Sequence, residues 1–218
     1  MLFLAVFLLF QASIAAQSFS AGVRVGFTLS NVEVILDKSL RVNGSDFVPD
    51  AYYRTLGSFH AGAEVRVPIN ERLSFLGGIM YAQKGFKTDF SSILVDQPLD
   101  FTIQLRYFNL PLLADYRLWK GLSVQAGVEP GLLNAAWLKF DGGRSDLKDG
   151  NTYENFDLGL AGGLEWRFDN GLFFSGRYIY GVLPIANLAA TDENGIDLGR
   201  VRSYNRSAQF AAGYRMSF

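Results

Sequence analysis

The chain has 218 residues with 20 Lys+Arg against 21 Asp+Glu, and its formal net charge of −1 gives no basic field to draw it to nucleic acid. It holds no cysteine and a single histidine, which excludes disulfides, thiol chemistry and Cys- or His-rich metal sites. With 23 Gly, 19 Phe and 10 Tyr but only 19% charged residues, the balance favours strands over helices, and the fold class is read as all-β.

Met1 to Phe10 form an unbroken apolar run, followed by small residues at Ser13, Ala15 and Ala16. Such a run is about half the length needed to cross a hydrocarbon core of roughly 30 Å, so residues 1–16 are expected to be a cleaved secretory signal peptide and 17–218 the exported domain. From Val23 to Leu29 large apolar residues alternate with Arg24, Gly26 and Thr28, the period of a two-faced strand. A long polar loop is expected at about 31–55; ten strands instead of eight would result if this loop and the fourth long loop each held one, for example around Val32–Leu36. Alternation returns at 59–67, where His60, Glu64 and Arg66 share the polar face, and Pro68 to Arg72 then form a tight turn. Segments 73–86 and 100–117 are less regular but rich in aromatic and aliphatic residues, and a loop separates them at 87–99. After the turn at 118–121, Leu122–Glu129 alternates again with Glu129 on the polar face, and a loop follows at about 138–152. Strand 156–168 carries Asp157, Glu165 and Arg167, a turn lies at 168–171, and strand 171–182 carries Arg177. A last long loop at 183–203 leads to the strand 210–218, with Arg215 on its polar face.

Eight strands joined alternately by short turns and long loops have the layout of a transmembrane, antiparallel, up-and-down β-barrel of a bacterial outer membrane. A soluble sheet would show the same periodicity, so the polar face decides. It mixes Gly22, Gly26, Gly62, Gly127, Gly159 and Gly213 with Arg24, Glu64, Arg66, Glu129, Asp157, Glu165, Arg167, Arg177 and Arg215. A narrow lumen has room for long charged chains only where neighbouring positions are small, and eight strands leave an interior that side chains can fill. These nine charges are therefore expected to pair with one another inside, leaving no open pore. Phe27, Tyr81, Tyr107, Tyr116, Trp119, Trp137, Trp166, Phe168, Tyr178, Tyr180 and Tyr214 are expected on the outer face as interfacial girdles. Strands longer than the 9–11 residues of a span imply a rim projecting beyond the bilayer on the loop side.

The terminal segment Tyr214-Arg215-Met216-Ser217-Phe218, with a signal peptide and eight amphipathic strands, resembles small bacterial outer-membrane barrels. That resemblance implies that Phe210, Tyr214, Met216 and Phe218 form the recognition signal for the barrel-assembly machinery. More narrowly, Tyr107-Phe108-Asn109-Leu110-Pro111-Leu112-Leu113 is similar to the fourth-strand motif of the PorT-like barrels of Bacteroidetes, with Asn109 where that family has Glu. Gln125–Gly131 resembles the Gly-Pro stretch of their following strand. Some relatives are linked to protein secretion, so the resemblance implies envelope or secretion-complex proteins as partners besides outer-membrane lipid.

Catalysis is not expected. Ser58 and His60 share the inward face, but Glu64 lies about 14 Å along the strand from His60, too far to orient it. Asp192–Asp197 does not match the spacing of a calcium loop, and no cofactor or metal is expected. The leading reading is a non-enzymatic envelope barrel meeting the outside through its loops. Two alternatives are a PorT-like subunit of a secretion or envelope assembly, and a soluble lipocalin-like barrel, which requires an apolar interior and a polar exterior.

Overall fold

The computed structural model describes residues 19–36, 41–42, 45–46, 53–89, 100–148, 150, 152–191 and 197–218. The signal-peptide reading of 1–16 and the acidic tract at 192–196 lie outside these residues. The strands, in chain order, are β1 (Ser20–Leu36), β2 (Arg41–Val42), β3 (Ser45–Asp46), β4 (Tyr53–Pro68), β5 (Leu73–Asp89), β6 (Asp100–Asn109), β7 (Leu112–Trp119), β8 (Leu122–Phe140), β9 (Gly143–Asp146), β10 (Phe156–Arg167), β11 (Leu172–Gly181), β12 (Ala186–Thr191) and β13 (Asp197–Ser217).

Each long strand pairs antiparallel with its neighbours in the order β1, β4, β5, β6 with β7, β8, β10, β11, β13, and β13 returns to β1, closing the sheet. β6 and β7 together form one stave, because both lie between β5 and β8. They are separated by Leu110-Pro111, where proline has no N–H to give to the ladder. The wall therefore has eight staves, and each of the eight segments read in the sequence corresponds to one of them, to within a residue at the ends. Closure removes the free edges that an open sheet would expose. At the short-turn end the seam is secured by stacking of Phe19 on Phe218 at 5.4 Å and by the Phe218 N–H donating to the Phe19 carbonyl at 2.8 Å.

The alternation sorts residues between two surroundings. On β1, Val23, Val25, Phe27 and Leu29 are exposed on the outside, while Arg24 and Thr28 are buried inside. Ile79, Leu132, Leu160, Leu164, Phe174 and Phe210 continue the outer apolar belt around other staves. The lipocalin-like reading is thereby overturned, since the interior is charged and the exterior apolar. An arginine on the lipid face costs about 2–4 kcal/mol at the bilayer midplane. Leu160→Arg, about seven residues from the short turn on β10, is expected to lower the urea midpoint of the folded barrel by that amount, whereas Leu160→Ile should leave it nearly unchanged.

Three expectations need correction. Val32–Leu36 is no additional stave; it is the upper end of β1, paired with β13 as far as Leu36 opposite Val201. The expected loop at 183–203 contains β12 and the start of β13, which form a hairpin above the barrel. Above the bilayer a strand needs no outward apolar face, and β12 and the start of β13 carry no alternation of large apolar residues. Finally, Tyr107 does not join the outer girdle, because it is fully buried inside. It shares the inward face with Ile103, Leu105 and Asn109 in an unbroken alternation along β6, and the register shift of the β6–β8 pairing is taken up by Asn134 on β8. The exposed Phe108 takes the outward position, packing edge-on against Tyr81 at 5.8 Å.

The short turns are built from local chemistry. Asn70 Oδ1 accepts the N–H groups of Arg72 and Leu73 at 2.9 and 2.8 Å, and Asn170 Oδ1 accepts that of Leu172 at 3.0 Å. Gly121 and Gly171 sit at φ of 85° and 90°, the left-handed region in which a side chain is strained. At the other end the sheet rises well beyond a membrane. A 19-residue strand such as β8, at about 3.3 Å per residue and ~45° tilt, rises roughly 45 Å against ~30 Å of hydrocarbon.

Candidate functional site: the charged interior

Glu64 on β4 lies at the centre of the lumen. Its carboxylate is 3.2 Å from Arg24 of β1 and 3.5 Å from Arg177 of β11, and it is paired closely with Arg215 of β13. Because β11 lies across the barrel from β4, these side chains bridge the interior. Arg215 also donates to Glu165 at 2.8 Å, and Arg177 Nε donates to Gln125 at 2.7 Å. Gln125 Nε2 in turn donates to Glu165 at 3.1 Å and to Asp115 at 2.8 Å. Arg66 is paired with Asp115, and its other terminal nitrogen is 3.8 Å from Glu165. The ring of Phe173, fully buried, lies under the guanidinium of Arg215 at 4.5 Å.

Towards the long-loop end, Lys84 stands between Asp157 at 3.4 Å and Glu129 at 3.7 Å. Asn109 donates to Glu129 and Asn205 to Asp157, each at 2.8 Å, and the Lys84 ammonium lies 5.2 Å from the centre of the Tyr107 ring. Above this layer the interior turns apolar, with Phe86, Ile103, Leu105, Leu133 and Ile185 buried around Tyr107. At the rim, burial pushes the phenol of Tyr153 well above its ordinary pKa, with Tyr53 nearby adding to the shift, so it stays protonated.

Of the nine charges read from the sequence, Arg24, Glu64, Arg66, Glu129, Asp157, Glu165, Arg177 and Arg215 are enclosed in the lumen. Arg167 is only half-buried at the short-turn mouth, and among the described residues its side chain makes neither hydrogen bond nor ion pair, while its main-chain N–H donates to the Gly121 carbonyl at 2.7 Å. Lys84 and Asp115 were missed. With them, the enclosed charges among the described residues are five cations and five carboxylates, a balanced set. Balance matters because an isolated ion in a low-dielectric interior costs several kcal/mol that only a partner can offset. The inward glycines make the room, since a Cβ on Gly26 would come within 2.6 Å of the His60 ring.

Ser58 and His60 are each hydrogen-bonded to other partners. The Ser58 hydroxyl donates to the Gln83 carbonyl at 2.6 Å, and His60 Nδ1 is hydrogen-bonded to Thr28 Oγ1 at 2.9 Å. Phe210, Tyr214, Met216 and Phe218 of the terminal pattern all point outward and are exposed.

An apolar outer belt on a closed eight-stave sheet, around an interior filled with paired charges, defines a small integral barrel of the bacterial outer membrane. The model of the outer membrane protein beta-barrel domain family matches residues 15–187, and the chain belongs to that family. Its place is the cell outer membrane. Among solved structures, it is similar to Ail, the attachment invasion locus protein of Yersinia pestis, at 16% identity and a TM-score of 0.48, covering 92% of this chain and 99% of that one. It is also similar to OprG of Pseudomonas aeruginosa at 13% identity and 0.48, with coverage of 92% and 97%. Neisserial surface protein A matches at 16% identity and 0.45, with coverage of 91% and 97%. No curated protein matches the chain.

Proposed function

We propose that this barrel is a structural and interaction component of the outer membrane that conducts no ions, catalyses no reaction and meets its partners through the projecting long-loop rim. The observation that carries the reading is the interior that the described residues fill, with bridged charges around Glu64 and an apolar layer around Tyr107. In planar bilayers the reconstituted protein is expected to give no steady conductance steps. Regular unitary steps in the wild type would overturn the closed-lumen reading.

A second reading, a subunit of a secretion or envelope assembly of the PorT-like type, is favoured by one detail. Asn109 replaces the glutamate of that motif, yet Glu129 of the neighbouring stave sets a carboxylate 2.8 Å from the Asn109 amide. The inward carboxylate is thus supplied from the next strand. Gentle extraction from native membranes separates the two readings: a stable complex with envelope proteins supports the assembly subunit, and a lone barrel supports the first reading. Recognition of Phe210, Tyr214, Met216 and Phe218 by the barrel-assembly machinery remains part of both proposals and is consistent with their outward placement.

A further inference from the structure

The short-turn mouth carries a charge surplus that the balanced interior does not absorb. A recess of about 290 Å³ opens there, lined by Arg66, Arg72, Arg117 and Arg167, with Glu71 as its single carboxylate. Arg117 donates to the main-chain carbonyl of Glu71, which neutralises nothing. Arg66 is turned inward and already engaged, one terminal nitrogen pairing with Asp115 and the other lying 3.8 Å from Glu165, so the outer guanidiniums of Arg72, Arg117 and Arg167 are left to face the recess. Asp115 and Glu165, the nearest enclosed acids, are already engaged by Arg66, Arg215, Gln125 and Ser123. Holding several guanidiniums together without counter-ions is unfavourable, and their planar forks match the paired oxygens of a phosphate.

We propose that this recess is a binding site for a phosphate-type oxyanion, held by the guanidiniums of Arg72, Arg117 and Arg167 that line it. Short turns lie on the periplasmic side of such barrels, so the site faces the inner leaflet of the outer membrane and the periplasm. A phospholipid head group and free phosphate share the required chemistry.

The test uses the full folded protein in a neutral detergent, read by the fluorescence of Trp119 and Trp166, which flank this end. One arm titrates inorganic phosphate against chloride at constant ionic strength. The other titrates short-chain phosphatidylglycerol against phosphatidylcholine of equal chain length. Saturable binding that weakens at least tenfold in Arg117→Gln/Arg167→Gln supports the site, and Arg167→Gln alone serves if the double variant loses its heat-modifiable folded form. Binding of both probes means that a free anion suffices, and binding of phosphatidylglycerol alone assigns the site to a lipid head group. No saturable binding of either probe, or equal affinity in wild type and variants, overturns the proposal.

Discussion

Replacing Glu64 with Gln is expected to lower the temperature at which the folded band converts to the unfolded one on a gel, and to shift the urea midpoint by about 3–5 kcal/mol of stability. Glu64 is the carboxylate that Arg24, Arg177 and Arg215 share, and the substitution removes its charge while keeping its shape. The enclosed set then holds five cations against four carboxylates, with one positive charge unmatched. The loss should exceed that from Glu33→Gln at the rim, because Glu33 is partly in water where its pair with Arg206 is screened. A further substitution provides the control: Arg24→Met added to Glu64→Gln restores charge balance and should recover part of the stability. Equal stability of wild type and Glu64→Gln would show that the interior charges do not hold the barrel together.

Gly213→Val is expected to prevent the barrel from closing, so that no heat-modifiable species forms at all. A Cβ at Gly213 would stand 2.2 Å from the Phe173 ring and 2.5 Å from the carbonyl of Val23. That carbonyl belongs to the strand across the β1–β13 seam, opposite Gly213 through Arg24, so relief requires opening the seam itself. Phe173 cannot turn away, being fully buried beneath Arg215. Gly162 supplies the comparison: it is exposed on the outer face, and the nearest atom to its added Cβ is 4.0 Å away. Gly162→Val should therefore fold, and the difference between the two variants isolates the lack of space from any intrinsic effect of glycine in a strand.

Much of this architecture was legible because the bilayer imposes it. Between the turns every second residue must be apolar, and the runs at Val23–Leu29 and Phe156–Phe168 show this directly. Eight of the ten enclosed charges could be read in the same way, since an arginine such as Arg24 between Val23 and Val25 can point only inward. Lys84 escaped because β5 breaks the alternation: Gln83, Lys84 and Phe86 are all buried, around Gly85 at a φ of 133°. Asp115 left a signal in Leu113-Ala114-Asp115-Tyr116, but the neighbouring Pro111 hides the period of that stave. The pairings across the lumen leave no trace in a single sequence, because Glu64 and Arg215 are 151 positions apart. β12 and the start of β13 were hidden for the opposite reason, as above the membrane no lipid requires an outward apolar face.

The bridging of the lumen through Glu64 also has a consequence for how such a chain can diverge. Outward positions such as Val23, Val25 and Leu160 need only remain greasy, so each can drift independently of the others. Position 64 cannot, because a change there alters the surroundings of residues on β1, β11 and β13 together. Across descendants of this sequence, residues 24, 64, 177 and 215 should therefore change as a correlated group or not at all, while the belt around them varies freely.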